Sequence, residues 1–170
     1  MLGEALNKIQ AAGGNVTITP RELLKIEKIY VLAINHTEEK YTDIKKRLDD
    51  LGLPGSIGFE ILQGHNGHVD KLPEDAKVYN NWALQDTDNV FWKNPVGVGE
   101  IGCTLSHINA WKKIVKDGFE RVLILEEDFI AKKPIKNLWE PKVDWDLMYF
   151  GRYVFNESEN VEIDHHWVQP

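Results

Sequence analysis

Three adjacent carboxylates, Glu126-Glu127-Asp128, follow the apolar run Val122-Leu123-Ile124-Leu125 and precede Phe129-Ile130. A short aliphatic run reads as a buried strand, so the carboxylates fall at its carboxyl end, where open α/β sheets bind their ligands. Three neighbouring anions repel one another unless something positive holds them. A divalent cation bridging to phosphate would serve, as would basic side chains from elsewhere in the fold. An acidic turn facing Lys132, Lys133 and Lys136 is the alternative. His65 with His68, and Asp164-His165-His166, have spacings that suit a metal, but such spacings more often belong to solvated loops. The lone cysteine, Cys103, lies between Gly102 and Thr104 on an apolar helical pattern. That setting predicts a packed thiol, and a single cysteine excludes an internal disulfide and fits a reducing compartment.

These groups need a sheet to hold them. Ile29-Tyr30-Val31-Leu32-Ala33-Ile34 is apolar on both faces, as a central parallel strand is, and ends at Asn35-His36-Thr37. Thr37 caps a predicted helix to about Leu51, with Tyr41, Ile44 and Leu48 on one stripe and Gly52-Leu53-Pro54-Gly55 closing it. Phe59-Glu60-Ile61-Leu62 reads as a second strand, completing a right-handed βαβ unit. Residues 63–98, with Gly64, Gly67, Pro73 and Pro95, predict a partly helical insertion lining the site. A strong helix follows over Ile101–Lys116, with Leu105, Ile108, Trp111, Ile114 and Val115 facing inward and Gly118 ending it. After the strand at 121–125, a turn of helix is expected near Leu138-Trp139 and another strand over Trp145–Gly151. Residues 1–27 read as an N-terminal helical extension: Leu2, Ala5, Leu6 and Ile9 share a helical face, and Thr19-Pro20-Arg21-Glu22 forms a capping box.

A chain of 170 residues with 42% hydrophobic content has enough apolar material for one domain with a core. Its net charge of -7 gives no general attraction for a polyanion, so nucleic acid is disfavoured as a partner. Met1–Gln10 carries Glu4 and Asn7 where a secretory leader needs a basic cap and an apolar stretch, and no run reaches membrane-spanning length. The expected location is cytoplasmic, including the face of an inner membrane or, for a viral chain, the host cytoplasm.

Four blocks in order resemble glycosyltransferase family 25, which includes lipooligosaccharide and collagen galactosyltransferases. The block Gly99-Glu100-Ile101-Gly102-Cys103-Thr104-Leu105-Ser106-His107, continuing through Ala110-Trp111 and Ile114-Val115, is similar to the family signature. Leu123-Ile124-Leu125-Glu126-Glu127-Asp128 resembles its acidic metal motif, and Trp145-Asp146-Leu147-Met148-Tyr149-Phe150-Gly151-Arg152 its next strand. Tyr30-Val31-Leu32-Ala33-Ile34-Asn35 is similar to its first strand, with Gly67 in the place of an early glycine. The resemblance covers roughly residues 29–152. It implies an α/β, GT-A-like (Rossmann-like) fold, a mostly parallel sheet flanked by helices, with residues 28–170 as a donor-binding domain incomplete at the C-terminus.

The resemblance also implies a UDP-sugar donor and Mn2+ or Mg2+. Asp128 is then the main metal contact, Glu126 holds a metal-bound water or reaches the ribose, and Glu127 supports the turn. Asn35, Glu100, Ser106, His107 and Arg152 join the expected donor pocket, with a late histidine such as His166 as a further metal candidate. Two departures stand out: glutamate occupies the middle acidic position where the family often has aspartate, and His36-Thr37-Glu38-Glu39-Lys40 replaces arginines after Asn35. Donor phosphate contacts therefore fall to Lys40, Lys45 or Arg152. No general base is evident, and Asp146 and Asp144 are the remaining candidates. The expected reaction moves a hexose, galactose or glucose, to a hydroxyl of a glycan such as lipopolysaccharide, of a protein side chain, or of a hydroxymethylated base in viral DNA. The lone cysteine and the missing leader argue against a lumenal collagen enzyme. A non-catalytic module binding a nucleotide sugar or a protein is the reading from another class. A response-regulator receiver is disfavoured, because the first strand supplies no acidic pair.

Overall fold

The computed structural model describes residues 23–83, 88, 90–132, 134–135, 139–141, 143–151, 161–162 and 168–169. Two compact units divide the chain, Lys25–Lys136 on one hand and Met1–Leu24 with Asn137–Pro170 on the other.

The larger unit is built on strands β1 (Lys28–Ala33), β2 (Phe59–Gln63) and β3 (Val122–Glu126), with helices α1 (Glu38–Asp50) and α2 (Val98–Asp117). The strands are parallel in the order β2-β1-β3. Ile29 pairs with Phe59 on one side and Leu123 on the other. The central position explains β1's sequence: Ile29 through Ala33 are all buried, as a strand covered on both faces requires. The connection from β1 to β2 runs one way across the sheet and that from β2 to β3 runs back over β1. Right-handed crossovers then put α1 and α2 on opposite faces. Side chains agree with that placement. Ile29, Val31 and Leu123 share a core with Ile44 and Leu48 of α1 and with Leu51. On the other face, the buried Tyr30 hydroxyl donates to Asp117 of α2 at 2.5 Å, and the Lys113 ammonium lies 5.5 Å from its ring centroid.

Helix α1 begins where Thr37 predicts it, with the Thr37 hydroxyl accepting from the Lys40 N–H at 3.2 Å. Of the predicted stripe, Ile44 and Leu48 are buried, while Tyr41 is partly exposed and stacks on Phe59 at 5.3 Å. Helix α2 starts three residues before its predicted start and ends on Gly118, whose φ of 76° is the left-handed geometry glycine supplies. Its buried face differs from the apolar stripe expected. Gly102, Ser106 and Ala110 are buried, whereas Trp111 is 48% and Val115 82% exposed. Small residues every fourth position let the helix lie close to its neighbours, and close packing chooses the inward face over bulk hydrophobicity.

The segment 63–98 contributes a 3-10 turn, Val90–Lys93, among its described residues. The strand expected over Trp145–Gly151 does not form. That stretch is irregular, with Leu147 60% and Tyr149 72% exposed. An apolar run becomes a strand only where a ladder partner accepts its backbone, and no described strand pairs with it. In the same unit, Leu23 bridges Trp139, the Trp145 indole N–H donates to Glu140 at 2.9 Å, and β4 (Val161–Glu162) pairs antiparallel with β5 (Val168–Gln169). The first helix expected within residues 1–22 and the turn near Leu138 lie outside the described residues, whereas the second, expected from Thr19 to about Ile26, does not form over the described residues 23–26, where Leu23 bridges Trp139 and the rest is irregular.

Candidate functional site

A 2-1-3 strand order places a topological switch point between β1 and β3, and the crevice at their carboxyl ends is where such sheets bind ligands. A cavity of about 630 Å³ opens there, lined by the β1 exit (Leu32–Ile34), Gly64, Cys103 and Ser106 of α2, Arg47 of α1, and the triplet Glu126–Asp128 with Ile130.

The triplet is divided by the pleat of β3. Glu126 is the last strand residue, opposite Leu32, and successive side chains of a strand point to opposite faces. Glu126 therefore goes to the α2 side, where its Oε1 lies 3.2 Å from His107 Nε2 and accepts from the Cys103 thiol at 3.6 Å. Glu127 goes to the α1 side. Its N–H donates to Leu32 O at 2.9 Å, its Oε1 accepts from the Ile34 N–H at 3.2 Å, and Lys40 pairs with Oε2 at 2.5 Å. Lys40 also donates to the Ile34 carbonyl. Glu127 and Lys40 thus tie the turn after β3 to the exit of β1, and the cation considered for donor phosphate is engaged by the protein itself. Asp128, at the turn, is exposed on the cavity rim.

Ser106 is buried within α2. It accepts the His65 N–H at 2.8 Å and donates to the Gly102 carbonyl at 2.7 Å. It therefore fixes the loop leaving β2, whose Gly64 N–H donates to Ala33 O at 2.8 Å. The approach is too tight for side chains: a Cβ on Gly67 would lie 1.8 Å from the Val98 carbonyl oxygen, and one on Gly102 would lie 2.6 Å from the His65 carbonyl oxygen. Glu100 turns back on its own helix, its Oε2 accepting the Gly97 N–H at 2.6 Å, where the helix dipole also favours a carboxylate. Asn35, exposed at the end of β1, has φ 57°, a left-handed conformation that asparagine tolerates. Lys45 is exposed on α1. Asp144 and Asp146 are exposed and belong to the other unit. Arg152 and Asp164-His165-His166 lie outside the described residues.

Two side chains at the site escaped the sequence reading. Cys103, expected to pack, is exposed and faces Glu126. Partial burial, then the nearby Glu126 and Asp128 carboxylates, push its thiol pKa up. Arg47 lines the cavity, donates to the Phe129 carbonyl at 3.1 Å and pairs with Asp43. The sole signal for Arg47 was its i,i+4 spacing from Asp43, which is common on solvated helix faces. His65 and His68 join no group of three potential ligands among the described residues. The group that does form is Cys103, His107 and Glu126, whose ligand atoms lie within 4.8 Å of one another.

The chain has relatives among known proteins. A "Glycosyltransferase 25 family member" of Anopheles gambiae is 32% identical, covering 94% of this chain and 27% of that protein. "Procollagen galactosyltransferase 2" of Homo sapiens is 38% identical over 81% of this chain and 23% of its own length. "Inactive glycosyltransferase 25 family member 3" of Mus musculus is 36% identical over 90% of this chain and 27% of its own. The chain thus spans about a quarter of the length of these relatives. No solved structure matches it. The family model described as "Glycosyltransferase family 25 (LPS biosynthesis protein)" matches residues 26–162, the whole sheet and the cavity included, and the chain belongs to that family.

Proposed function

We propose that the chain binds a UDP-sugar at the carboxyl edge of β1 and β3, with Mn2+ or Mg2+ held by Asp128 and Glu126, and serves transfer of a hexose to an acceptor hydroxyl. The observation that carries the reading is the division of labour within the triplet. All three line the cavity, but Glu127 is committed to Lys40 and the Ile34 N–H, whereas Asp128 is exposed at the rim and Glu126 faces His107 and Cys103. Two carboxylates with substrate phosphates and water suit a hard divalent ion, and about 630 Å³ lies within the usual range for small-molecule sites. When bound, such an ion neutralises charge building on the nucleoside diphosphate as the glycosidic bond breaks. The chain's own part is positional: Ser106 and Gly67 hold the β2 loop against α2, and His107 orients Glu126. Galactose is the first sugar to test, given the name of the human relative, with a glycan hydroxyl as acceptor.

Titration calorimetry with UDP and Mn2+ tests this. Micromolar-range binding is expected, reduced at least tenfold by Asp128→Asn; no UDP affinity, or an unchanged one in the variant, overturns it. A second reading, donor binding without transfer, draws on the mouse relative named inactive. Binding without release of sugar from any UDP-hexose would favour it.

A further inference from the structure

We propose that Cys103, His107 and Glu126 form a binding site for a borderline-soft divalent cation of the Zn2+ type, which shares Glu126 with the proposed Mn2+ or Mg2+ site and differs from it in its thiolate and imidazole ligands. Cys103 and His107 are four residues apart on α2, so one helix face presents both. Glu126 arrives from the end of β3 on that same side of the sheet, and two regular elements therefore fix the three donors.

The spacing suits a tetrahedral ion. Bonds of about 2.0 Å to nitrogen and oxygen and about 2.3 Å to sulfur make the tetrahedron's N···O edge roughly 3.3 Å and its S···O edge roughly 3.5 Å. The corresponding separations are 3.2 Å for His107 Nε2 to Glu126 Oε1 and 3.6 Å for Cys103 Sγ to the same oxygen. All three donors fall within 4.8 Å of one another. Both edges to Glu126 thus already match an ion, and side-chain rotation of Cys103 and His107 would bring their mutual edge, within 4.8 Å, to the roughly 3.5 Å that the ion needs. Thiolate and imidazole select Zn2+ over Mg2+ or Mn2+, and the Irving–Williams order points the same way. Cys103 and Glu126 line the cavity, so the fourth position opens toward a water or a ligand oxygen, the arrangement of zinc sites that keep an exchangeable ligand.

Zn2+ binding to the full chain without nucleotide tests the proposal separately from donor binding. Calorimetry against a competing chelator is expected to show one tight Zn2+ per chain, weakened at least tenfold by Cys103→Ser and by His107→Gln. Co2+ in place of Zn2+ should give a thiolate charge-transfer band that Cys103→Ser abolishes. With a single cysteine in the sequence, alkylation provides a readout that needs no variant. Zn2+ should slow iodoacetamide modification of Cys103, and Mg2+ at the same concentration should not. Zn2+ affinity unchanged in Cys103→Ser, or alkylation indifferent to Zn2+, overturns the site.

Discussion

Glu126 and Glu127 carry the same side chain, yet the pleat of β3 delivers one to Cys103 and His107 and the other to Lys40. Their substitutions should therefore separate. Glu127→Gln removes a half-exposed ion pair and is expected to cost about 1 kcal/mol or less, read as a small drop in urea midpoint, with UDP affinity changed less than twofold. Glu126→Gln should leave the midpoint nearly unchanged and weaken Mn2+-dependent UDP binding. The sequence shows the triplet at a strand end because the apolar run before it is unmistakable. It does not show which carboxylate faces which helix, since a strand apolar on both faces does not reveal which of its alternate residues face α1. A register shift of one residue inverts the assignment. Cys103 was misjudged for a related reason: an apolar pattern marks a helix, while the rotation of that helix against the sheet is set by Gly102, Ser106 and Ala110.

At the scale of elements, both helices are keyed to β1 by different chemistry. On the α1 face the attachment is apolar, and Ile44→Ala at a 1% exposed site should cost roughly 2–5 kcal/mol in denaturant unfolding. On the α2 face it is polar. Burial, with the Asp117 hydrogen bond adding to it, pushes the Tyr30 phenol pKa up from 10.0 to about 12. The folded state thus retains a proton that the unfolded chain releases first. This contribution to stability is complete below pH 10 and is lost as the pH rises from 10 toward 12. Urea midpoints between pH 9 and 11.5 should fall more steeply for the native chain than for Tyr30→Phe. The β2 loop is held by absence of bulk: Gly67→Ala drives a methyl into the Val98 carbonyl and should cost about 1–3 kcal/mol or more, seen as a lowered midpoint. Strands β1, β2 and β3 and helix α1 were readable because their apolar periods and the Thr37 cap act locally. The run at 145–151 misled because its apolar residues satisfy the pattern without a ladder partner to define a strand.

For the whole molecule, the division into two units bears on how ligands act. The sheet and cavity lie within Lys25–Lys136, so a donor should stabilise the unfolding transition of that unit. UDP with Mn2+ at a hundred times its dissociation constant is worth about 2.7 kcal/mol. On a scale of roughly 2–4 °C per kcal/mol, calorimetric scans should show that transition rise by several degrees and lose the shift in Asp128→Asn. The strand order has a further consequence during synthesis. β1 pairs with β2 early, but its other edge waits for β3, roughly 90 residues later in the chain. At ribosomal rates of about 5–20 residues per second, that is an interval on the order of 5–20 s in which the most apolar strand has an open edge. That edge is covered only once Glu126 emerges, and the residue that ends β3 is also the one that completes the site.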